Sequence, residues 1–201
     1  CQQCYWHNEN STQWFGDYIH HGCRLVLQLP QGFFNAYRHM AESDLDLVLH
    51  LGDYIYEYPE AGYANDYARE VLKRSVVPQH EVVALEDYRM RYGLYRTDRD
   101  LQALHQRHPF ICVWDDHELA NNTWREGAEN HNEGEGDFHQ RIAAARQAYH
   151  EWMPIRTAIE GVQGPIYRRF EIGKLADLIM LDTRLVGRDR GLEYASDMLY
   201  A

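Results

Sequence analysis

Two short stretches hold the side chains with most chemistry to offer, Gly52-Asp53-Tyr54-Ile55-Tyr56 and Trp114-Asp115-Asp116-His117-Glu118. A carboxylate such as Asp53 at a strand end can bridge two metal ions. A phenolate three residues on, Tyr56, can reach one of them if that ion is a strong Lewis acid such as ferric iron. Without a metal the same residues make a strand-to-loop turn, with the Asp as a cap and the Tyr as packing. The second stretch sets four ionisable groups in a row after five largely apolar residues. Their mutual repulsion is costly unless a cation or a partner offsets it. His117 can act as a ligand, or as a general acid that protonates a leaving group. The plainer alternative is an exposed helix N-terminus, where acidic residues favour the dipole. Asn121 and Asn122 can supply neutral oxygen ligands or simply end the turn. Taken together, the two stretches suit a two-metal site, whose ions lie about 3.5–4 Å apart and need carboxylates from separate strand ends.

The elements that must position them are legible from hydrophobic spacing. Phe33, Tyr37 and Met40 sit at helical spacing. The stretch Asp44 to Leu51 has a second half that is a continuous apolar run ending in Gly52-Asp53, and it reads as a buried strand delivering Asp53. Leu85, Tyr88, Tyr92 and Tyr95 predict a helix, with the tyrosines as core rather than a substrate platform. A shorter helix follows at Leu101, Leu104 and His108, stopped by Pro109. Phe110 to Trp114 is a second buried strand ending in acid. Phe138, Ile142, Ala145, Tyr149 and Trp152 mark a longer helix. Residues 166–172 and 175–181 read as two strands around a Gly173-Lys174 turn, the second ending in Asp182 and Arg184. In such α/β sheets ligands bind beyond the carboxyl ends of the strands. The acidic loop from Glu126 to Asp137 reads as a solvated face, and a short helix is expected near residues 66–72.

The chain has 201 residues and a formal net charge of −11. That balance disfavours a general nucleic-acid-binding surface, and no sequence-specific nucleic-acid binding is expected. A bound cation can still invert the local field for a small anionic substrate. No apolar run is long enough to span a membrane as a helix. Cys112 lies in an apolar run and reads as a buried small hydrophobe. The chain opens on Cys1 and shows no targeting segment, so it reads as an excerpt or a processed product.

His50-Leu51-Gly52-Asp53-Tyr54-Ile55-Tyr56-Glu57-Tyr58, preceded by Phe34-Asn35-Ala36-Tyr37-Arg38-His39-Met40-Ala41, closely resembles the alkaline phosphatase D family of metallophosphatases. Val113 to Glu118 with Asn121-Asn122 resembles that family's second motif, and Leu181-Asp182-Thr183-Arg184 a third. The resemblance runs from about Gly32 to Arg190. It implies an α/β fold, part of a four-layer α/β/β/α metallophosphoesterase sandwich. It also implies hydrolysis of small phosphate esters by a metal-activated water or hydroxide. Iron and calcium are the implied ions, with zinc or manganese as alternatives, and the implied location is periplasmic or secreted. By the same resemblance Asp53 bridges the metals, Tyr56 binds iron and Asp116 is a ligand. His117 contacts phosphate or donates a proton. Cys1 of Cys1-Gln2 matches a family metal ligand. Asp115, Glu118, Asn121, Asn122 and Arg184 remain candidates for substrate contact or for holding the ligands. For Arg184, phosphate binding and a salt bridge with Asp182 are both open.

Two departures stand out. About thirty residues separate Cys1 from Gly32, where the family has only a few. Residues 1–31 therefore form an atypical segment, 4–30 being insertion-like, before the first half of a catalytic domain at 32–201. The family's later Gly-Asp-x-His segment is absent, so the site is expected to be incomplete in this chain. The rival reading is a non-catalytic fragment whose N-terminus binds zinc through Cys1, Cys4, His20, His21 and Cys23.

Overall fold

In the computed structural model, residues 5–7, 14–16, 33–63, 66–157 and 164–191 are described. Strands β1 (Tyr5–His7) and β2 (Trp14–Gly16) pair antiparallel. Helix α1 (Asn35–Glu42) leads to β3 (Val48–His50). A short helix α2 (Glu60–Tyr63) and a π-helical turn (Tyr67–Val71) precede α3 (Leu85–Arg96) and α4 (Arg99–Arg107). Strand β4 (Phe110–Cys112) follows, then a long turn-rich loop, α5 (Phe138–Trp152), and the hairpin β5 (Arg168–Ile172) with β6 (Ala176–Met180). The result is a mixed α/β fold with three two-stranded sheets among the described residues. No helix among the described residues is long and apolar enough to cross a membrane.

The helices form where the apolar spacing places them, and two of them, α4 and α5, begin on a capping side chain. Asp98 precedes α4 and accepts from the backbone N–H of Asp100 and Leu101, satisfying donors the helix cannot. Its other oxygen accepts from Phe34 N at 3.2 Å, tying the start of α1 to the start of α4. Arg38 of α1 adds a two-pronged pair to Asp100, at 3.0 and 2.9 Å. Asp137 caps α5 in the same way. Helix α3 buries Tyr88, Tyr92 and Tyr95 against the core and packs on α5, so the tyrosine stripe is core as expected. Each such ring contributes about 1.5–3 kcal/mol by leaving water. Cys112 is fully buried, and burial pushes its thiol up to about 12.

The strands are shorter than their apolar runs. The apolar second half of residues 44–51 pairs over Val48–His50, and Leu49 and Leu51 are exposed, contrary to the expectation of a buried strand. The cause is that this two-stranded sheet is covered on the face of Val48 and His50. Ile179, Leu181 and Leu175 of the hairpin region are likewise exposed. Cys1, Cys4, His20, His21 and Cys23, and the insertion-like stretch 4–30 apart from the paired strands, lie outside the described residues.

Candidate metal centre

Strands β3 and β4 run parallel in the register Val48↔Phe110, Leu49↔Ile111, His50↔Cys112. Val113 N donates to His50 O at 3.0 Å and prolongs the ladder by one bond. Both chains therefore leave the sheet at the same level, and the two acidic stretches emerge side by side. Gly52 is what lets them approach. Its φ is +105°, and a Cβ there would lie 2.1 Å from Asp115 N. Asp53 follows at φ 57°, a left-handed conformation uncommon among non-glycine residues and best tolerated by Asn and Asp.

Asp53, Asp116 and His117 are all buried, and one ligand atom from each lies within 4.8 Å of the others. His117 Nε2 stands 3.8 Å from Asp53 Oδ2. That is too long for a hydrogen bond. It is a natural spacing for two ligands of one ion with bonds of about 2.0–2.2 Å. Asp116 Oδ2 accepts from Asn122 N at 2.7 Å. Its Oδ1 has no hydrogen bond among the described residues, and Arg184 Nη2 approaches it at 3.4 Å. A buried carboxylate oxygen left in that state is costly, and a cation removes the cost. Asp53, Glu57, Asp116 and Glu118 are all buried in these two stretches, which deepens the need for positive charge. Two carboxylates with one imidazole suit iron, manganese or zinc, and the oxygens suit calcium. The residues present thus fit a metal ion.

His117 is held by one tripeptide. The Tyr56 and Tyr58 rings lie 4.3 and 5.2 Å from its imidazole, centroid to centroid. Between them Glu57, fully buried, meets His117 Nδ1 at 2.7 Å through Oε2. Buried Arg91 pins this segment, donating to the carbonyls of Tyr56 and, at 3.0 Å, Tyr58. Asp53 and Tyr56 also line one small cavity with Phe34, Tyr37, Tyr54 and Tyr95. Glu57 escaped the reading of candidate residues. Its signal was a lone charge inside Tyr-Ile-Tyr-Glu-Tyr, a run too aromatic to be solvent-facing.

The surrounding residues brace the centre. Glu118 accepts from Tyr54 N at 2.5 Å and Asp115 N at 2.9 Å, and so clamps the two strand ends together. Burial pushes its carboxyl up to about 7 against the pull of those N–H groups. Asn121 and Asn122 act through the backbone, donating to Glu57 and Asp116. Their side-chain amides both donate to Glu129. A salt bridge between Arg184 and Asp182 does not form. The Arg184 guanidinium reaches Asp115 instead, Nε to Oδ1 at 2.5 Å. Asp182 serves as a turn cap, accepting from Arg184 N and Leu185 N.

The class of protein is thus a mixed α/β chain with a buried carboxylate–imidazole cluster at the ends of two neighbouring parallel strands. More particularly, the chain belongs to the PhoD-like phosphatase family, whose profile matches residues 19–199. It is 42% identical over 159 residues to alkaline phosphatase D of Bacillus subtilis (strain 168), covering 78% of this chain and 26% of that protein. A solved structure described as the structure of PhoD matches with a TM-score of 0.63 at 41% identity, covering 77% of this chain and 29% of that one. The chain spans less than a third of the length of these relatives.

Proposed function

We propose that this chain supplies the Asp53–Asp116–His117 corner of a metal-dependent phosphoesterase centre that hydrolyses small phosphate esters. The observation that carries this reading is the buried triad itself, its ligand atoms within 4.8 Å of one another beside a carboxylate oxygen that lacks a hydrogen bond among the described residues. Family membership supports the reaction class. In this reading Asp53, Tyr56, Asp116 and Cys1 would be the ligands this chain contributes, with Asp53 shared between the ions. Iron and calcium are the proposed ions, with zinc or manganese as alternatives. Ions bound there supply Lewis acidity at the phosphoryl oxygen and acidify a water molecule. The chain's own contribution is to hold the carboxylates in place, exclude bulk water and manage a proton at His117 Nε2. We further read the two-stranded sheets as parts of a four-layer α/β/β/α sandwich, a reading supported by the match to the PhoD structure. An extracytoplasmic location is proposed on the resemblance, to be tested by cell fractionation.

His117 admits two roles. As a proton donor it assists the departing oxygen. The 3.8 Å approach of Nε2 to Asp53 favours a second role as ligand. His117→Gln separates them. Loss of turnover with metal retained, and least severe for p-nitrophenyl phosphate with its good leaving group, marks a proton donor. Loss of metal marks a ligand. The overall reading is tested by p-nitrophenyl phosphate and bis-p-nitrophenyl phosphate turnover, in this chain and at the matching positions of the Bacillus subtilis relative. Asp53→Asn and Asp116→Asn abolish turnover and lower metal content with the fold intact. Unchanged activity in either variant would sink the assignment. Stoichiometric zinc lost on replacing Cys1 and Cys4, without effect of Asp53→Asn on metal content, would instead support the non-catalytic zinc-binding fragment.

A further inference from the structure

We infer that Glu57 is a positioning residue that fixes His117 as its Nδ1–H tautomer, leaving Nε2 as the lone-pair atom that faces Asp53. The inference rests on the reading of Asp53, Asp116 and His117 as one metal centre, and it specifies which atom of His117 serves that centre.

The argument is one of donors and acceptors. Glu57 Oε1 already receives two donors, Asn121 N at 2.6 Å and Asn130 Nδ2 at 3.0 Å. The backbone N–H of Asn121 can only donate. Oε2 is left for His117 Nδ1 at 2.7 Å. An ionised carboxylate only accepts, so Nδ1 must donate, and in a neutral imidazole Nε2 then carries the lone pair. Nε2 is also the nitrogen that stands 3.8 Å from Asp53 Oδ2. The Tyr56 and Tyr58 rings, 4.3 and 5.2 Å away, restrict rotation of the imidazole. A buried carboxylate behind a histidine is the usual device for setting which ring nitrogen ligates a metal. Glu57 has no exposed surface, and among the described residues its carboxylate bonds His117, Asn121 and Asn130 rather than Asp53 or Asp116, so its action on the centre runs through His117.

Glu57→Gln is the discriminating substitution, because it keeps size and removes one acceptor. The fixed backbone N–H of Asn121 holds the Gln oxygen where Oε1 was. The Gln NH2 then points at His117 Nδ1, which can accept it only by giving up its proton. The proton moves to Nε2, and the lone pair turns away from Asp53. The opposite orientation of the Gln would set an NH2 against the Asn121 N–H, which can only donate.

The test is long-range 1H–15N correlation on the 15N-histidine-labelled, metal-stripped 201-residue chain in alkaline buffer. The His117 signals are assigned by their loss in His117→Gln. The expected result is a protonated Nδ1 and a lone-pair Nε2 in the wild type, and the reverse in Glu57→Gln. Metal affinity should fall about 10–100-fold in Glu57→Gln, with thermal midpoint and amide dispersion retained. A wild-type ring protonated on Nε2, or a Glu57→Gln ring that keeps Nδ1–H, would overturn the inference. If Glu57→Gln does not fold, the wild-type tautomer alone decides it. Failure of the metal reading looks different: a chain that binds none of iron, calcium, manganese or zinc while its His117 shows Nδ1–H leaves the positioning role standing and removes the centre.

Discussion

Gly52→Ala tests the close approach of the two strand ends on which the candidate centre depends. The added Cβ would start 2.1 Å from Asp115 N and 2.4 Å from Asp115 Cβ. To reach even 3.0 Å, the smallest separation real Cβ atoms show, the segments must part by about 1 Å. The backbone at φ +105° adds a conformational cost of about 1–2 kcal/mol for a residue with a Cβ. Overpacking of this kind costs about 1–3 kcal/mol more. The expected destabilisation is therefore about 2–5 kcal/mol. Gly136→Ala is the control. Its φ is +89°, but nothing lies within 4 Å of the added carbon, so only the backbone cost of about 1–2 kcal/mol applies. Both variants are compared by urea denaturation with linear extrapolation. Metal titration provides the functional readout. Sites of this kind tolerate about 0.5 Å of displacement, so a 1 Å separation of Asp53 from Asp116 weakens metal binding in Gly52→Ala and leaves Gly136→Ala unaffected. Equal stability of the two variants, to within about 0.5 kcal/mol, with unchanged metal affinity would refute the reasoning.

Other consequences follow from buried polar groups. Among the described residues the buried Tyr92 hydroxyl has no hydrogen-bond partner, whereas Tyr88 donates to Leu119 O at 2.7 Å and accepts from Arg141. Tyr92→Phe should be neutral or stabilising, and Tyr88→Phe should cost about 1–3 kcal/mol by thermal or urea unfolding. His105 lies against Phe110 and bonds the Tyr54 hydroxyl at 2.8 Å, and burial lowers its pKa from 6.5 to about 3. Between those values the unfolded chain binds the extra proton, so stability should fall as pH falls through this window. His105→Gln should flatten that part of the stability–pH curve, and an unchanged slope would contradict the assignment. Arg184→Ala, which strips the partner from Asp115 and the nearby charge from Asp116, should cost about 1–3 kcal/mol. A double-mutant cycle with Asp115→Asn should recover a coupling of about 1 kcal/mol or more.

Helices α1, α3, α4 and α5 were legible because a 3.6-residue period survives in sequence whatever the helix packs on. Pro109 marked the end of the α4 segment for the same local reason. The strands were legible in place but not in extent. An apolar run does not say how many of its residues find a partner, and in β3 only Val48–His50 do. Leu49 and Leu51 belong to the run yet face outward, since what covers a sheet face is a tertiary matter. At the site, Asp53, Asp116 and His117 could be named from type and position at predicted strand ends, and the structure brings them together. Glu57 shows in sequence only as a lone charge in an aromatic run, and its role does not, because its partners stand 60 and more residues away and no local period records them. Arg184 gives the same lesson in reverse. Its nearest acid in sequence is Asp182, but that carboxylate is used by backbone N–H groups of the turn, and the guanidinium swings to Asp115.

The most direct measurement of the central claim is metal stoichiometry by elemental analysis, with calorimetric titration of iron, calcium, manganese and zinc, on the wild-type chain beside Asp53→Asn, Asp116→Asn and Glu129→Gln. Glu129 is exposed and contacts the centre only through the Asn121 and Asn122 amides, so it serves as the charge-matched control. Binding that is present in the wild type and in Glu129→Gln, and at least about 10-fold weaker in both aspartate variants with unfolding midpoints retained, is the expected result. Equal binding in all four proteins would contradict the claim that the ends of β3 and β4 form one metal centre.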